Sequence, residues 1–471
     1  MSPPQNEKNR PLAALLVPDL LELLEEAPES IGPQTEEMHP ADLADVAEAL
    51  PEAQVRAFLA ALPKERAAEV LEYLDEELRT QVLEELSARE AASIVAEMDP
   101  DERADALDDL DEETADEILS ELTPDDKAET ERLLQYDPYT AGGLMTTEFV
   151  SVDERLTVEE ALRAVRTMAR AGRREAMYTI YTVDTNVRLR GVLSLRELLA
   201  AGEGRRISEL AWDEVVSVSP ETSQEEVSQL TSNYDLVALP VVDQEKRLLG
   251  VVTVDDVIDV IQEEQTEDAQ KMGGMEALDE PYMQIGLWQN VRKRGGWLAV
   301  LAISEMFTAS VMARYEHDLG RVLLLSQFIP LVLSSGGNSG SQATSLIIRA
   351  MALGEVRIAD WWSVLLRELP AGFLLGILLG VLALVRIVVW NMLGLYDYGP
   401  HATMIALTVG VTLVGIVTVG SITGSMLPFL LRRLGFDPAS ASAPFVATLV
   451  DVSGISLYFS MAYLFLSGRL L

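Results

Sequence analysis

Hydrophobic and polar positions follow three successive patterns along the chain. From Glu36 to Tyr136, apolar residues recur at helical spacing in short runs. Helices this short are unstable alone and must bury their apolar faces against neighbours. This part therefore predicts a stack of helices resembling a solenoid. The apolar positions are Val70, Leu71, Leu74, Leu78, Val82, Leu83, Leu86, Ile94, Val95, Met98, Leu107, Leu110, Ile118, Leu119 and Leu122, and the helix breakers between runs are Pro51, Pro63, Pro100 and Pro124.

The second pattern begins at Gly142 and Gly143, where strands start to alternate with helices. Two units share the order β-α-β-β-α, which indicates an internal duplication. The first has predicted strands at 149–152, 178–183 and 191–194, and helices at 157–171 and 195–201. The second has strands at 215–218, 236–242 and 250–253, a helix at 223–234, and a charged helix from Val254 past Glu267. A connector containing Gly273, Gly274 and Pro281 leads to Trp288.

The third pattern consists of long apolar segments that can span a membrane. Five are predicted, the second despite its polar centre, at 297–313, 322–350, 364–389, 404–431 and 445–467. Basic residues cluster at Arg292–Arg294 before the first span and at Arg432 and Arg433 after the fourth. Basic residues collect on the cytoplasmic side. The N-terminus is therefore predicted to be cytoplasmic and Leu471 to lie outside.

Charge is divided unevenly between these regions. The net charge is -40, yet the residues from Gln289 onward include 12 basic and 9 acidic ones. The acidic part repels nucleic acid and anionic lipid and attracts cations. Lysine is scarce there, and adaptation to high salt and a GC-rich genome that favours arginine remain equally open explanations. Residues 1–35 are rich in Pro and Glu and predict a loosely ordered segment with one short helix near Leu20; they show no signal peptide.

Several chemistries are excluded by composition. The chain has no cysteine, so disulfides and thiolate metal sites are absent. Its three histidines are scattered and form no zinc pattern. No combination of nucleophile and base is recognisable, so an enzyme is not expected.

Asp451 is the most informative single residue, because it lies inside an apolar segment. A carboxylate in hydrocarbon is costly and usually faces a polar pathway. We predict that it lines an ion path, with Thr448 and the carbonyl of Ala447 near the ion's hydration shell. The alternative is a buried Asp451 that is satisfied by Ser453 or by a neighbouring helix.

The second predicted span carries the polar run Ser334–Gln342. Its glycines can expose backbone carbonyls, which a membrane tolerates only at a cavity or a protein contact. Asn338 and Gln342 are therefore predicted to line the path, while a close helix interface of small residues is an alternative compatible with that role. Glu305 in the first span either lines the path, pairs with Arg349 or faces the cytosolic mouth.

Two resemblances follow from specific motifs. Leu239-Pro-Val-Val-Asp243 followed by Gly250-Val-Val-Thr-Val-Asp-Asp256 resembles a pair of CBS domains. The chain also resembles the MgtE family of magnesium channels over residues 37–471. The motifs that carry this resemblance are the segments 335–350, 426–438 and 445–454. This implies a multidomain membrane protein with a superhelical α-helical N domain, an α/β CBS pair and an all-α transmembrane domain of five helices. The implied boundaries are a disordered or short helical segment at 1–36, the acidic N domain at 37–140, CBS domains at 141–202 and 203–262, a connecting (plug) helix at 263–290 and the pore domain at 291–471.

The MgtE resemblance also implies partners and regulation. It implies a homodimer with the pore between subunits, Asp451 as the ion-recognition residue, and closure when cytosolic Mg²⁺ bridges acidic faces. The matching regulatory positions are Glu69, Asp101, Asp105, Asp235, Asp256, Asp259, Glu264, Glu267 and Asp268. Some family members bind ATP between aromatic residues at the CBS pair. Here Thr179 and Leu236 take those places and Glu197 replaces an Asp, which argues against nucleotide binding.

The sequence thus predicts a magnesium-selective channel of a bacterial inner membrane that imports Mg²⁺ and is closed by cytosolic Mg²⁺. Mg²⁺ would be both cargo and regulator. A carrier or exchanger for Co²⁺, Mn²⁺ or another divalent cation on the same fold is the first alternative. A membrane sensor without transport is the alternative from another class.

Overall fold

The computed structural model describes residues 11–170, 178–202, 204–278, 282–283, 285–315 and 323–466. The chain divides into two compact units, residues 1–261 and 262–471. Predictions on residues 1–10, Ala171, Pro281 and Leu471, and on the ends of the second and fifth spans at Val322 and Ser467, fall outside the described residues.

The first unit begins with ten short α-helices. Their bounds are α1 Pro11–Glu26, α2 Ile31–Thr35, α3 Pro40–Ala49, α4 Glu52–Ala60, α5 Lys64–Glu72, α6 Glu76–Glu85, α7 Ala88–Val95, α8 Pro100–Asp108, α9 Glu112–Glu121 and α10 Pro124–Leu133. The prolines that separate the sequence runs stand at helix starts, as Pro100 and Pro124 do in the first turn of α8 and α10. A first-turn proline sacrifices no helical hydrogen bond.

Alternate helices stack on one another, α3 on α5, α5 on α7 and α7 on α9, with α6, α8 and α10 forming a second row. Glutamate side chains of the first row accept hydrogen bonds from the residues that precede helices of the second row. Glu48 accepts a hydrogen bond from the Asp75 backbone N–H at 3.2 Å, and Glu72 accepts one from Asp99 at 3.1 Å. The predicted helical stack is confirmed. Helix α1 is longer than composition suggested, because Leu20 is buried in the same core.

The first α/β domain has a three-stranded sheet. It contains β1 Val150–Asp153, α11 Val158–Arg170, β2 Thr179–Val183, β3 Leu189–Ser194 and α12 Leu195–Ala200. Strand β1 is parallel to β2, and β2 is antiparallel to β3.

The second α/β domain repeats this order with a shorter sheet. It contains α13 Gln224–Asn233, β4 Ala238–Val242, β5 Leu248–Thr253 and the long helix α14 Val254–Met272. The strand predicted at 215–218 forms only a parallel bridge, Val218 to Val241. The Val242 N–H bonds to the Val218 carbonyl. The next donor in this parallel ladder would be residue 240, a proline without an N–H, so the ladder stops.

The second unit holds the end of α14 and the long apolar helices. These are α15 Leu287–Arg314, the short α16 Leu323–Ser326, α17 Ile329–Ala352, α18 Trp361–Met392, α19 Ala402–Arg433 and α20 Ala443–Leu466. The second predicted span is therefore divided near Phe328, where Pro330 occupies the first turn of α17. Helix α19 packs against α17, α18 and α20.

Four described helices are long and apolar enough to cross a membrane: Leu287–Arg314, Ile358–Met392, Ala402–Arg433 and Ala443–Leu466. Helix α17 has the length but not the composition, because serines, glycines and amides fill its centre. Its role as a fifth span remains a prediction.

Small residues bring α17 and α19 into close contact. Gly336 and Gly340 face Gly420 and Gly424, so a Cβ added to either α19 glycine would overlap an α17 carbonyl oxygen. The Thr344 hydroxyl donates to the Gly424 carbonyl at 2.9 Å. The polar run therefore does form the small-residue interface considered from the sequence.

Candidate ion path and cation sensor

One face of α17 carries exposed polar side chains along the helix. Ser334, Asn338 and Gln342 recur every four residues and are exposed, while the glycines beside them are buried against other helices. Asn338 Nδ2 donates to Ser334 Oγ at 3.3 Å. The structure thus separates two functions within one run: glycines pack, and amides remain accessible.

Asp451 lies beside this polar face. Gly337 faces Ala447, and Gly454 lies next to Leu333, so α17 and α20 run antiparallel. Asp451 falls between these two levels, opposite residues 334–335. Its side chain is half-buried. Asp451 therefore lies at the same level along the helices as the beginning of the polar face of α17.

Helix α15 runs parallel to α20. Trp297 contacts Phe445, with 5.9 Å between ring centroids, and Tyr315 stacks on Phe459 at 4.6 Å. Both contacts involve residues that advance in the same direction along the two helices. Parallel α15 and α20, with α17 antiparallel to both, fit the predicted alternation of spans.

Glu305 lies midway between those ring contacts and is exposed. Glu305 on α15 and Asp451 on α20 therefore lie at about the same level between the two ring contacts. Two acidic side chains from different helices thus share one region of the second unit. This arrangement favours a cation between or beside them.

Thr448 and Ala447 occupy more packed positions. The Thr448 side chain is 8% exposed, and its hydroxyl donates to the Pro444 carbonyl at 2.9 Å. Ala447 packs against Gly337. Neither side chain points freely into solvent within one chain, and their contact with a hydrated ion remains a prediction.

In the first unit, α8 packs onto the second α/β domain. Ala104 of α8 belongs to the same buried cluster as Leu239 and Val257. Ala104 lies between Asp101 and Asp105, and Val257 lies between Asp256 and Asp259. This apolar contact brings the predicted regulatory carboxylates of two domains near each other.

The carboxylates around that contact are difficult to ionise together. Removal from water raises the pKa of Glu102 to about 8, with repulsion from Asp105 and Asp256 adding to the rise and Arg79 opposing it. Although Asp105 is exposed on one side, partial removal from water raises its pKa to about 7. Arg79 opposes this rise, and repulsion from Asp109 and Asp256 adds to it. The cluster therefore gains from any added cation.

Asp256 and Asp259 show the same tendency. Removal from water raises the pKa of Asp256 to about 6, opposed by a hydrogen bond from Thr253, while Asp255 and Asp259 add repulsion. Burial and Asp255 also raise the pKa of Asp259. These shifts agree with acidic surfaces placed closer together than bulk solvent would favour.

Arg79 is a participant that the sequence did not reveal. Its side chain is 12% exposed, and it lies 2.6 Å from Asp109 Oδ2 and 3.8 Å from Glu102 Oε2. An arginine among so many acids was the only available signal. Only the fold shows that it reaches from α6 to α8.

The other predicted regulatory residues are more dispersed. Glu69 pairs with Arg66 at 2.7 Å on α5. Asp235 is exposed in the turn before β4, with a positive φ of 50°. Glu264, Glu267 and Asp268 follow on the half of α14 that belongs to the second unit.

Among the residues that the structure describes, no three acidic or histidine side chains converge to chelate one ion. Mg²⁺ retains several of its waters and is commonly held by one or two carboxylates. The acidic surfaces fit such loosely held, hydrated ions. A fully protein-coordinated site is not formed by these described residues.

A cavity of about 590 Å³ opens on the first α/β domain. It is lined by Tyr178, Ser194, Leu195, Arg196, Leu199 and Ala200. Glu197 is already engaged by the Ser194 backbone and hydroxyl and by Trp212 Nε1 at 3.1 Å. Tyr178 supplies an aromatic ring to this cavity. The sequence analysis did not identify it, because Thr179, the next residue, was assigned to the aromatic position.

Comparison with known families accounts for this combination of domains. Residues 329–461 match the MgtE model, described as a divalent cation transporter; residues 38–139 match the MgtE intracellular N domain; residues 141–204 and 207–263 match CBS domains. The chain belongs to the MgtE family. The CBS and MgtE resemblances read from the motifs are confirmed.

Curated MgtE relatives agree with this assignment. The chain is 45% identical over 344 residues to "Magnesium transporter MgtE" of Thermus thermophilus, covering 72% of this chain and 73% of the relative. It is 33% identical over 338 residues to the protein of the same name from Enterococcus faecalis, covering 72% of each. Its identification as a multi-pass membrane protein of a magnesium transporter family follows.

A solved MgtE structure matches the first part of the chain. It is described as the cytosolic domain of the Mg²⁺ channel MgtE in complex with ATP. The sequences are 41% identical, the TM-score is 0.50, and the match covers 52% of this chain and 99% of that one. The helical N domain and CBS pair of this MgtE member therefore have a solved counterpart.

Proposed function

We propose that this MgtE member is a channel that imports Mg²⁺ and that cytosolic Mg²⁺ closes it. The observation that carries the proposal is Asp451, half-buried in the apolar helix α20 beside the exposed polar face of α17. Charged groups at membrane depth mark ion pathways. The magnesium transporters among its relatives support the choice of cargo.

The chemistry of the path suits a hydrated divalent ion. Mg²⁺ releases water reluctantly, so a path for it should offer widely spaced oxygens and few direct ligands. Asn338, Gln342, Thr448 and the Ala447 carbonyl would contact its water shell, Asp451 would supply charge, and Glu305 would add a negative field nearby. Entry into a negative cell interior favours a divalent cation by about 4.6 kcal/mol per 100 mV.

The exposed polar face of α17 supports a homodimer. Polar side chains facing hydrocarbon are unfavourable, and one chain leaves Ser334, Asn338 and Gln342 uncovered. A second copy would enclose this face and place two Asp451 carboxylates at one level. The cytosolic side would carry the N and CBS domains, in the inner membrane of a bacterium.

Closure would use the crowded carboxylates of α8 and α14. Mg²⁺ bound near Asp101, Asp105, Asp256 and Asp259 would offset their repulsion and favour the arrangement in which α8 packs on the CBS domain. Glu69 and Asp235 would extend the acidic surface. Glu264, Glu267 and Asp268 would bring the same ion dependence to the second half of α14.

This mechanism needs no nucleotide. Tyr178 offers an aromatic ring at the CBS cavity, and a relative's cytosolic domain is solved with ATP. However, Glu197 is held by Ser194 and Trp212. The residues therefore fit ATP only in part, and every proposed step is carried by Mg²⁺ and protein side chains.

Uptake into proteoliposomes that enclose a Mg²⁺-sensitive dye tests transport. We expect Asp451→Asn to reduce the initial rate at least about tenfold, since loss of a charge from an ion site costs more than about 1.4 kcal/mol. Asp397→Asn is the matched control, because Asp397 is exposed in a loop, where its Oδ1 accepts a hydrogen bond from the Gly399 backbone N–H.

Four outcomes distinguish the proposals. Uptake that depends on Asp451 and proceeds without a counter-ion supports a channel. Uptake that requires a counter-transported ion supports the carrier or exchanger. Absence of uptake by the unmodified protein supports the sensor, and equal uptake by Asp451→Asn removes Asp451 from the path.

A further inference from the structure

The last turn of α14 is tied to the loop that precedes α20. Lys271 Nζ lies 2.5 Å from Glu267 Oε1 on its own helix and 2.7 Å from Asp437 Oδ2. Asp437 is 166 residues away in sequence, in the loop between α19 and α20. The ammonium group therefore joins two carboxylates from separate elements.

All three side chains are partly withdrawn from solvent. Lys271 is 24% exposed, Asp437 34% and Glu267 39%. Burial alone would lower the pKa of Lys271, yet its bonds to Asp437 and Glu267 raise that pKa to about 12. Lys271 thus remains a cation at every physiological pH, a fixed charge rather than a titrating one.

Asp437 shapes the loop while it holds Lys271. Its Oδ1 accepts a hydrogen bond from the Ala439 backbone N–H at 2.8 Å, which caps the turn Pro438–Ser440. Its Oδ2 accepts from Lys271. The two carboxylate oxygens of Asp437 therefore connect the end of α14 with the backbone of this loop.

Further contacts extend from this loop to the start of α20. Ala439 and Ala441 are buried in a cluster that Met272, the residue after Lys271, packs against. Ser442 follows and is fully buried; its Oγ accepts a hydrogen bond from Trp297 Nε1 at 3.1 Å. Helix α20 begins at the next residue.

The connector after α14 also packs against Trp297 and the first turn of α20. Gly274 has a φ of +79°, and a Cβ added to it would lie 3.0 Å from the Trp297 ring and 3.2 Å from Pro444. Close approach and a left-handed backbone both require glycine here. Thr448 and Asp451 stand one and two turns after Pro444 on α20.

We infer that Lys271 is the coupling residue between α14 and the ion path, holding the end of α14 to the loop that positions α20. Glu267 links this function to regulation, since its carboxylate is shared between Lys271 and any divalent ion that binds there. The inference rests on the proposed closure by cytosolic Mg²⁺. It adds the residue through which that closure reaches α20.

The test compares the cytosolic Mg²⁺ concentration that half-closes the channel in patches containing the full-length protein. Lys271→Met keeps the aliphatic stem and removes the charge; Asp437→Asn keeps the turn cap and removes the ion pair. We expect each to raise the half-closing concentration about fivefold, the lower end of typical coupling. Open-channel current should persist, because neither residue lines the path.

The double variant and two controls decide whether the pair acts as a unit. Lys271→Met with Asp437→Asn should shift the concentration no further than either change alone, since coupled residues are not additive. Lys271→Arg should retain closure. Lys127→Met should leave it unchanged, because Lys127 lies on the surface of α10, where it forms an exposed pair with Glu131 at 3.7 Å.

Failure of the inference and failure of the proposed function look different. If the unmodified channel closes with Mg²⁺ and Lys271→Met closes at the same concentration, the coupling role is overturned while Mg²⁺ gating stands. Additive effects of the two substitutions would also overturn it. If the unmodified protein does not close with Mg²⁺, the proposed gating itself is wrong.

Discussion

Single glycines determine how closely the helices around the proposed ion path pack. Gly424 of α19 faces the Gly340 carbonyl with no room for a Cβ, whereas Gly295 of α15 has open space at its Cβ position. The same substitution should therefore have opposite effects at the two sites. The difference lies in the neighbours rather than in helix propensity, which favours alanine at both.

We expect Gly424→Ala to destabilise the protein by about 1–3 kcal/mol, because the neighbouring backbone must move. Gly295→Ala should stabilise it slightly, by about 0.5–1 kcal/mol, through reduced freedom of the unfolded chain. Thermal unfolding of the detergent-solubilised protein measures both. A Gly424→Ala midpoint equal to or above that of the unmodified protein would contradict the α17–α19 interface.

Whether a candidate functional residue could be recognised from the sequence depended on its surroundings. Asp451 could be found because a carboxylate in an apolar segment is rare whatever the fold. Lys271 and Arg79 could not, because Asp437 and Asp109 lie on other elements and acidic residues are common throughout this part of the chain. Tyr178 was missed for a smaller reason, a one-residue offset from Thr179.

At the scale of elements, the proposed sensor depends on the buried cluster that α8 and α14 share. Ala104 and Val257 are buried in one cluster, and acidic residues flank both in the sequence. The apolar contact sets how near the carboxylates come, so it should control their response to Mg²⁺. The sensor expected from the sequence consisted of acidic faces alone and did not include this apolar contact.

We expect Ala104→Glu to abolish closure by Mg²⁺ while current persists, because a carboxylate buried without a partner costs several kcal/mol. Helix α8 would then separate from the CBS domain. Ala57→Glu on the exposed side of α4 is the control and should close normally. Patch recordings across cytosolic Mg²⁺ concentrations provide the readout, and normal closure of Ala104→Glu would argue against this sensor.

Regular elements were predicted better than their interruptions. The duplicated β-α-β-β-α order and the bounds of α11, α12 and α13, within one or two residues, followed from the sequence pattern. The missing strand at 215–218 depended on Pro240 in its partner, and the break before α17 depended on Pro330 at a helix start. Both effects come from a missing N–H whose partner is known only once the fold is known.

At the scale of the whole molecule, the charge distribution separates two functions. The acidic residues concentrate before Gln289, while the apolar helices that follow hold few charges, among them Asp451 and Glu305. A strongly acidic surface concentrates cations around itself. The MgtE architecture therefore pairs a cation-attracting soluble part with an apolar part in which single carboxylates matter.

Helix α14 belongs to both compact units. The boundary between the compact units falls between Ile261 and Gln262, within this helix. Proposed regulatory carboxylates occupy both halves, and Lys271 ends it. A sequence can show such a helix as charged and long, but only the structure shows which contacts hold its final turn.

Patch-clamp recording of the reconstituted protein and its Asp451→Ala variant, with cytosolic Mg²⁺ varied, tests the central claim most directly. We expect unitary Mg²⁺ currents that close as cytosolic Mg²⁺ rises and that are absent in Asp451→Ala. Currents that persist unchanged in the variant would contradict the role of Asp451 in the path. Measurable Mg²⁺ flux without any unitary current would contradict the channel and leave a carrier.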